Sequence, residues 1–208
     1  MDSKAVDAIR GIMGDMQAVS AYTSAVENLS KVEGWQTPLE GFALLSFAAK
    51  GPGKGAIVEI GSFKGRATCY LGLGTKSTGR EKVYAVDSFQ EAGMSDSATY
   101  FDEFMTNVKK NGLSMQVRPV PKKSIEAAKE WDKPIRLLFI DGEHTYEGVK
   151  SDFTLWEKHV VEGGIIAFHD ANSKDHPEVG KFVAELLEDN TKFKRAISID
   201  SCQFILKV

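Results

Sequence analysis

Five short apolar runs recur at intervals along this chain, each followed by a segment with helical spacing. The runs are AIVEIG (56–61), KVYAVD (82–87), MQVRPV (115–120), IRLLFID (135–141) and GIIAFHD (164–170). Continuous apolar runs of this length, rich in Val and Ile, predict strands buried on both faces. Between them ATCYLGLGTK, YFDEFMTNVKKNG, SIEAAKEW and YEGVKSDFTLWEKHV predict helices; in the last, Val149, Phe153, Trp156 and Val160 share one face. Strands separated by helices require crossover connections, so the pattern predicts an open α/β sandwich built on a parallel sheet. The end of the chain departs from this rhythm. FKRAISI and CQFILKV are separated only by Asp200 and Ser201, too short for a crossover, and must pair antiparallel.

Ahead of the first strand, Val6, Ile9, Ile12, Met13, Met16, Val19, Tyr22 and Val26 predict amphipathic helix over 4–30, in two pieces. Thr37 and Pro38 then open a further helix, as N-cap and first helical residue, that runs to the breaker GPGKG at 51–55. The expected organisation is a helical extension over 1–36 and one α/β domain over 37–208, with QEAGMSDSAT (90–99) as its most mobile loop.

At 208 residues with 42% hydrophobic content the chain can bury one substantial core. Its 26 basic and 29 acidic residues are interspersed, for a net charge of −3, with no basic block to follow a phosphate backbone, so nucleic acid is excluded as the expected partner. Cys69 and Cys202 lie outside any disulfide or zinc spacing. Neither a secretory leader nor an apolar run of membrane-spanning length is present, which predicts a soluble cytoplasmic protein without a membrane partner. The amphipathic N-terminal segment is compatible with a homodimer.

In open α/β sheets ligands bind beyond the carboxyl ends of the strands, and here those ends carry the chemistry. The first reads Glu59-Ile60-Gly61-Ser62-Phe63-Lys64-Gly65. Gly61 and Gly65 permit tight turning and close backbone approach, and the next helix offers its N-terminal amides. It is neither GxGxxG nor a phosphate loop, and Glu59 suits a ligand with positive charge rather than a pyrophosphate. Asp87, ending the second strand, is placed to accept from both hydroxyls of a ribose, with Ser88 beside it and Phe89 positioned to cover an adenine face. Ser124 falls either at the adenine edge or at the N-cap of SIEAAKEW.

VEIGSFKG, VYAVDSF, LLFIDGEHTYEGVKSD and GGIIAFHD, in this order, resemble the class I S-adenosylmethionine-dependent methyltransferases, most closely the methyltransferase 24 family, over about 37–172. The resemblance implies a Rossmann-like, seven-stranded, mostly parallel sheet with an antiparallel last strand and helices on both faces. It also implies S-adenosylmethionine contacts from Glu59, Gly61, Ser62, Gly65, Asp87, Ser88 and Phe89, extending to Ser124 and Asp141. The expected activity is methyl transfer to a small-molecule acceptor, most simply an oxygen. Two mechanisms stand open for activating the hydroxyl. Asp141 and Asp170 hold Mg2+ with help from Asn172 or a water, as the resemblance to catechol-type relatives implies, or His144 or His169 acts as general base with Asp141 or Asp170 orienting it. A bland alternative leaves Asp141 holding its loop and His144 capping the helix near Tyr146. Competing functions are a non-catalytic cofactor-binding module and an NAD-dependent oxidoreductase, the latter disfavoured by Glu59 and the missing GxGxxG.

Overall fold

The computed structural model describes residue 7, residue 11 and residues 16–90, 99–189 and 191–208, with side chains from residue 23 onward. The first predicted N-terminal helical piece and the loop at 91–98 lie outside the described residues. In chain order the elements are α1 (Met16–Leu29), α2 (Pro38–Lys50), β1 (Ala56–Ile60), α3 (Arg66–Thr78), β2 (Val83–Asp87), α4 (Phe101–Lys110), β3 (Val117–Pro121), α5 (Ser124–Lys129), β4 (Ile135–Ile140), α6 (Tyr146–Trp156), β5 (Val160–Phe168), α7 (Pro177–Glu188), β6 (Phe193–Ile199) and β7 (Cys202–Lys207). One 3₁₀ turn, Glu157–His159, precedes β5.

The strands form one seven-stranded sheet in the order β3-β2-β1-β4-β5-β7-β6. β7 is antiparallel to both of its neighbours, and the other pairings are parallel. Alternation along each strand divides the core in two. Ile57, Leu137, Phe139, Ile165, Ala167 and Phe204 pack beneath α1 to α4, while Val58, Ile60, Leu138, Ile140, Ile166 and Phe168 pack beneath α5 to α7. β3 carries Pro119 and Pro121 and lies at the sheet edge, where a missing N–H costs no ladder bond.

Two expected boundaries moved. The helix after β4 stops at Trp156 rather than Val160, because Val160 and Val161 are β-branched and continue into a longer β5. The helix expected over 124–131 ends at Lys129. The capping box of α2 forms in full, with Thr37 Oγ1 accepting from the Glu40 N–H and Glu40 accepting from the Thr37 N–H.

β1 and β4 leave the sheet centre in opposite topological directions, which opens a crevice at their carboxyl ends. At the opposite edge Arg136 of β4, 1% exposed, donates to the Phe47 and Ala48 carbonyls at the end of α2 and to Glu81 Oε2 at 2.9 Å. This guanidinium satisfies the helix-end Ala48 carbonyl and adds a second donor to the Phe47 carbonyl, which also accepts from the Gly51 N–H. Arg136→Met leaves the Ala48 carbonyl without its guanidinium donor, while Phe47 keeps the Gly51 N–H and Glu81 keeps Arg80, and is expected to lower stability by about 2 kcal/mol in urea unfolding. A loss below about 1 kcal/mol would show that the pin is dispensable.

Candidate active site

A cleft of about 1130 Å³ runs along the carboxyl ends of β1, β2, β4 and β5. The ladder sets those ends flush: the Asp141 N–H donates to the Ile60 carbonyl at 2.8 Å, and the His169 N–H to the Ile140 carbonyl at 3.0 Å. Gly61, at φ +81°, lets β1 turn against β4; a Cβ there would meet the Asp141 carbonyl oxygen at 2.0 Å. Gly65, at φ +89°, begins α3 and leaves no room for a side chain beside Phe104.

The β1–β2 half holds two carboxyl groups in contrasting states. Glu59 is 0% exposed; Thr68 Oγ1 and Ser62 Oγ both donate to its Oε2, and its Oε1 has no partner although the residue lines the cleft. Burial, reinforced by Asp141 and Asp87, pushes its carboxyl up to about 8. The acid read as suiting a positively charged ligand is therefore protonated at pH 7. Asp87 differs in being hydrogen-bonded at both oxygens. Its Oδ2 accepts from the Ser62 and Phe63 N–H groups at 2.8 and 2.9 Å, and its Oδ1 from the Phe89 N–H at 2.7 Å and the Tyr100 hydroxyl at 2.9 Å. Four donors fill the accepting capacity of a carboxylate. Tyr100 supplies the one of the four that comes from a side chain.

Two of the expected cofactor residues, Phe89 and Ser124, are engaged elsewhere in the protein. The Phe89 ring is 1% exposed, at φ +55°, and packs among Tyr100, Phe101 and Phe104, so it does not cover the cleft. The positive φ turns the side chain inward and leaves only its backbone near Asp87. Ser124 lines the cleft but is the first residue of α5, with Lys123 at the N-cap; its Oγ accepts from Trp156 Nε1 at 2.9 Å. Ser62 and Ser88 line the cleft as expected.

The β4–β5 half gathers Asp141, His144, His169 and Asp170. His169 Nδ1 lies 3.0 Å from both Asp141 Oδ1 and Asp170 Oδ2, and His144 Nε2 lies 3.0 Å from Asp170 Oδ2 and 3.6 Å from Asp141 Oδ1. His144 does not cap α6, whose N-cap is Thr145. Asp141 and Asp170 hold the His144 imidazolium up to about 9. Burial opposes the charged form of His169, but Asp141, Asp170 and Glu40 overcome it and push its pKa up to about 12. Asp170 is held well below the usual carboxylate range, the two imidazoliums outweighing its burial. Asn172 stands apart. Its amide nitrogen donates to the Asp200 and Cys202 carbonyls of the β6–β7 hairpin, and its side chain does not line the cleft.

Sequence reasoning missed the residues that hold this cluster from outside. Glu40 faces His169 Nε2 at 3.5 Å while also accepting from Ser201. Gln36 Nε2 donates to Asp141 Oδ2 at 2.7 Å. Arg66 donates to the Ser30, Val32 and Gln36 carbonyls and so fastens the α1–α2 linker to the cleft. His176 stacks on His144 at 4.2 Å.

A family model described as a methyltransferase domain, methyltransferase 24, matches residues 58–171, more than half of the chain. The uncharacterized protein R132 of Acanthamoeba polyphaga mimivirus is 30% identical over 139 residues, which are 62% of this chain and 59% of that protein; the chain thus spans about six tenths of its relative's length. Among solved structures, the O-methyltransferase NovP is 18% identical with a TM-score of 0.63, over 88% of this chain and 79% of NovP. The O-methyltransferase TomG of Streptomyces achromogenes, in complex with S-adenosylmethionine, is 14% identical with a TM-score of 0.63, over 100% of this chain and 91% of TomG. At these identities the structural likeness concerns the fold.

Glu59 provides a test of the buried electrostatics. Its folded pKa, raised from 4.5 to about 8, means that the native state keeps a proton that the unfolded chain releases. Stability from this group therefore falls as pH rises from about 4.5 to about 8. Glu59→Gln should melt higher than wild type, with a gap that widens across that window, reaches about 2 °C or more, and is constant above it. A gap independent of pH would show that Glu59 is ionised at neutrality.

Proposed function

This chain belongs to the methyltransferase 24 family of class I S-adenosylmethionine-dependent methyltransferases, and on that premise we propose that it methylates a hydroxyl oxygen of a small molecule held over the β4–β5 end of the cleft. The observation that carries the reading is the juxtaposition, across the Gly61–Asp141 contact, of a cofactor-sized half containing Glu59 and Asp87 with a half containing four ionisable groups.

S-adenosylmethionine, when bound, supplies an electrophilic methyl group on a cationic sulfonium. The residues fit its parts. The unpartnered Glu59 Oε1 is a buried acceptor for the cationic amino group, whose charge draws this carboxyl toward its ionised form. Gly61, Ser62 and Gly65 admit its backbone-close atoms, and Asp87 with Ser88 receives the ribose as the Tyr100 hydroxyl gives way. Asp141 borders both halves. Ser124 supports the adenine end, and Phe89 contributes through its backbone alone.

The acceptor lies beside His144, the member of the cluster most open to the cleft, with a side chain 36% exposed. In-line displacement needs the acceptor oxygen aligned with the sulfur and relieved of its proton. The carboxylates of Asp141 and Asp170 are the proton acceptors there, the imidazoliums of His144 and His169 offset the charge that develops on the oxygen, and Glu40 and Gln36 hold His169 and Asp141 in place. Residues 1–36 serve as an extension whose linker walls the acceptor side. In the metal-assisted alternative Asp141 and Asp170 would hold Mg2+ with water rather than with Asn172, whose side chain does not line the cleft.

Calorimetric titration should show one S-adenosylhomocysteine per chain, weakened about ten-fold or more by Asp87→Ala. Absence of binding by the folded wild-type protein would overturn the reading. Against a panel of hydroxylated small molecules, assayed by S-adenosylhomocysteine release, His144→Ala should reduce kcat by roughly 100-fold or more with cofactor affinity unchanged. An unchanged kcat would remove His144 from the chemistry.

A further inference from the structure

We propose that the acceptor is an organic cation, a hydroxylated molecule with an ammonium group remote from the reacting oxygen, and that Trp35 selects it together with the acids Glu143 and Asp175. The inference rests on the proposed methyl transfer and names the substrate class of that same site.

Trp35 supplies the first observation. It lines the cleft and is 70% exposed, the highest value among the described large hydrophobic residues. This exposure is held in place from both sides. Glu33 pairs with Lys64 at 2.8 Å, Arg66 donates to the Val32 and Gln36 carbonyls, and Gln36 Nε2 donates to Asp141. Phe63 supports the indole at a ring separation of 4.8 Å and itself rests on Tyr100 at 5.0 Å. The linker is thus fixed against the cleft and still leaves the indole uncovered beside the half that Gln36 reaches. The negative face of an indole attracts a cation more strongly than any other side-chain ring does.

The sign of the charge is a separate observation. Glu143 and Asp175 line the cleft, are exposed, and form no ion pair among the described residues. The cations of the cleft are committed elsewhere. Arg66 gives Nε, Nη1 and Nη2 to the Val32, Gln36 and Ser30 carbonyls. His144 and His169 face Asp141 and Asp170, with Glu40 as a third carboxylate on His169. Lys123 follows β3, on the far side of β2 and β1 from the β4–β5 end. A cleft focuses the field of its charges, so the acceptor half draws cations and repels anions.

These two observations restrict the acceptor together. A phosphate, sulfate or carboxylate on it meets exposed acids and no uncommitted cation. A neutral aromatic ring stacks on Trp35 but gains nothing from Glu143 and Asp175. An ammonium group gains from all three. With the hydroxyl directed inward at Asp141 and Asp170 and the ammonium outward at Trp35, the acceptor's cation also stays at the end remote from the sulfonium, which limits their repulsion.

The test titrates matched probes into the full chain by calorimetry, with and without saturating S-adenosylhomocysteine. One set is tyramine, tyrosol and 4-hydroxyphenylacetate; the other is glucosamine, glucose and glucuronate. In at least one set the aminated member should bind about ten-fold or more tightly than the neutral one, with the carboxylated member weakest. Added salt should shrink that preference. Trp35→Leu should cut the aminated-to-neutral ratio by about three-fold or more, and so should Glu143→Gln combined with Asp175→Asn. Because the ratio compares ligands on one sample, partial loss of fold does not imitate the effect. Equal binding of aminated and neutral members in both sets, tighter binding of the carboxylated ones, no binding of either amine, or a ratio unchanged in both variants would each overturn the inference. Binding of S-adenosylhomocysteine without amine preference overturns the acceptor class alone, and amine preference in a chain that binds no S-adenosylhomocysteine overturns the methyltransferase reading alone.

Discussion

The close approach of β1 to β4 at Gly61 is the constraint on which the rest of the site depends. Only a residue without Cβ, free to adopt φ +81°, lets the chain leave β1 against the Asp141 carbonyl. That approach places the turn after β1, which carries the cofactor-facing groups, within the same crevice as the ends of β4 and β5. Parallel pairing keeps the strand ends level, so Glu59, Asp87, Asp141 and His169 arrive at one rim without long side chains having to reach.

The two halves of the rim use charge differently. On the β1–β2 side the carboxyl groups are either neutralised by burial, as in Glu59, or saturated by protein donors, as in Asp87. On the β4–β5 side three carboxylates, Glu40, Asp141 and Asp170, surround two histidines so closely that protons or a metal ion must balance them. Arg66 links these halves to the N-terminal segment by holding three linker carbonyls, and Gln36 on that linker reaches Asp141. The acceptor-side wall is thereby coupled to the first residue of α3.

The sheet was legible because its central strands are apolar on both faces, a signal that needs no tertiary information, and because Asp200-Ser201 is too short for anything but a hairpin. The strand-end acids were legible for the same reason: a charge at the end of a buried run marks the rim. What stayed hidden came from backbone conformation and long-range pairing. The inward turn of Phe89 follows from its positive φ, which no neighbouring residue announces. Glu40 completes the capping box of α2, but its contact with His169 lies far away in sequence and no local pattern signals it. Asn172 is captured by the hairpin that the sequence does predict, but its direction depends on where that hairpin docks. The early stop of α6 at Trp156 reflects strand pairing of Val160 with Ile135 overriding a continuous helical face.

The central claim is that one cleft binds S-adenosylmethionine along the ends of β1 and β2 and delivers its sulfur to the four-residue cluster at β4 and β5. A crystal structure of the complex with S-adenosylhomocysteine tests this most directly. The account predicts the amino group within hydrogen-bond distance of Glu59 Oε1, the ribose on Asp87 in place of the Tyr100 hydroxyl, and the sulfur facing His144. A ligand seated outside this cleft, or a ribose remote from Asp87 with Tyr100 still bound there, would contradict it.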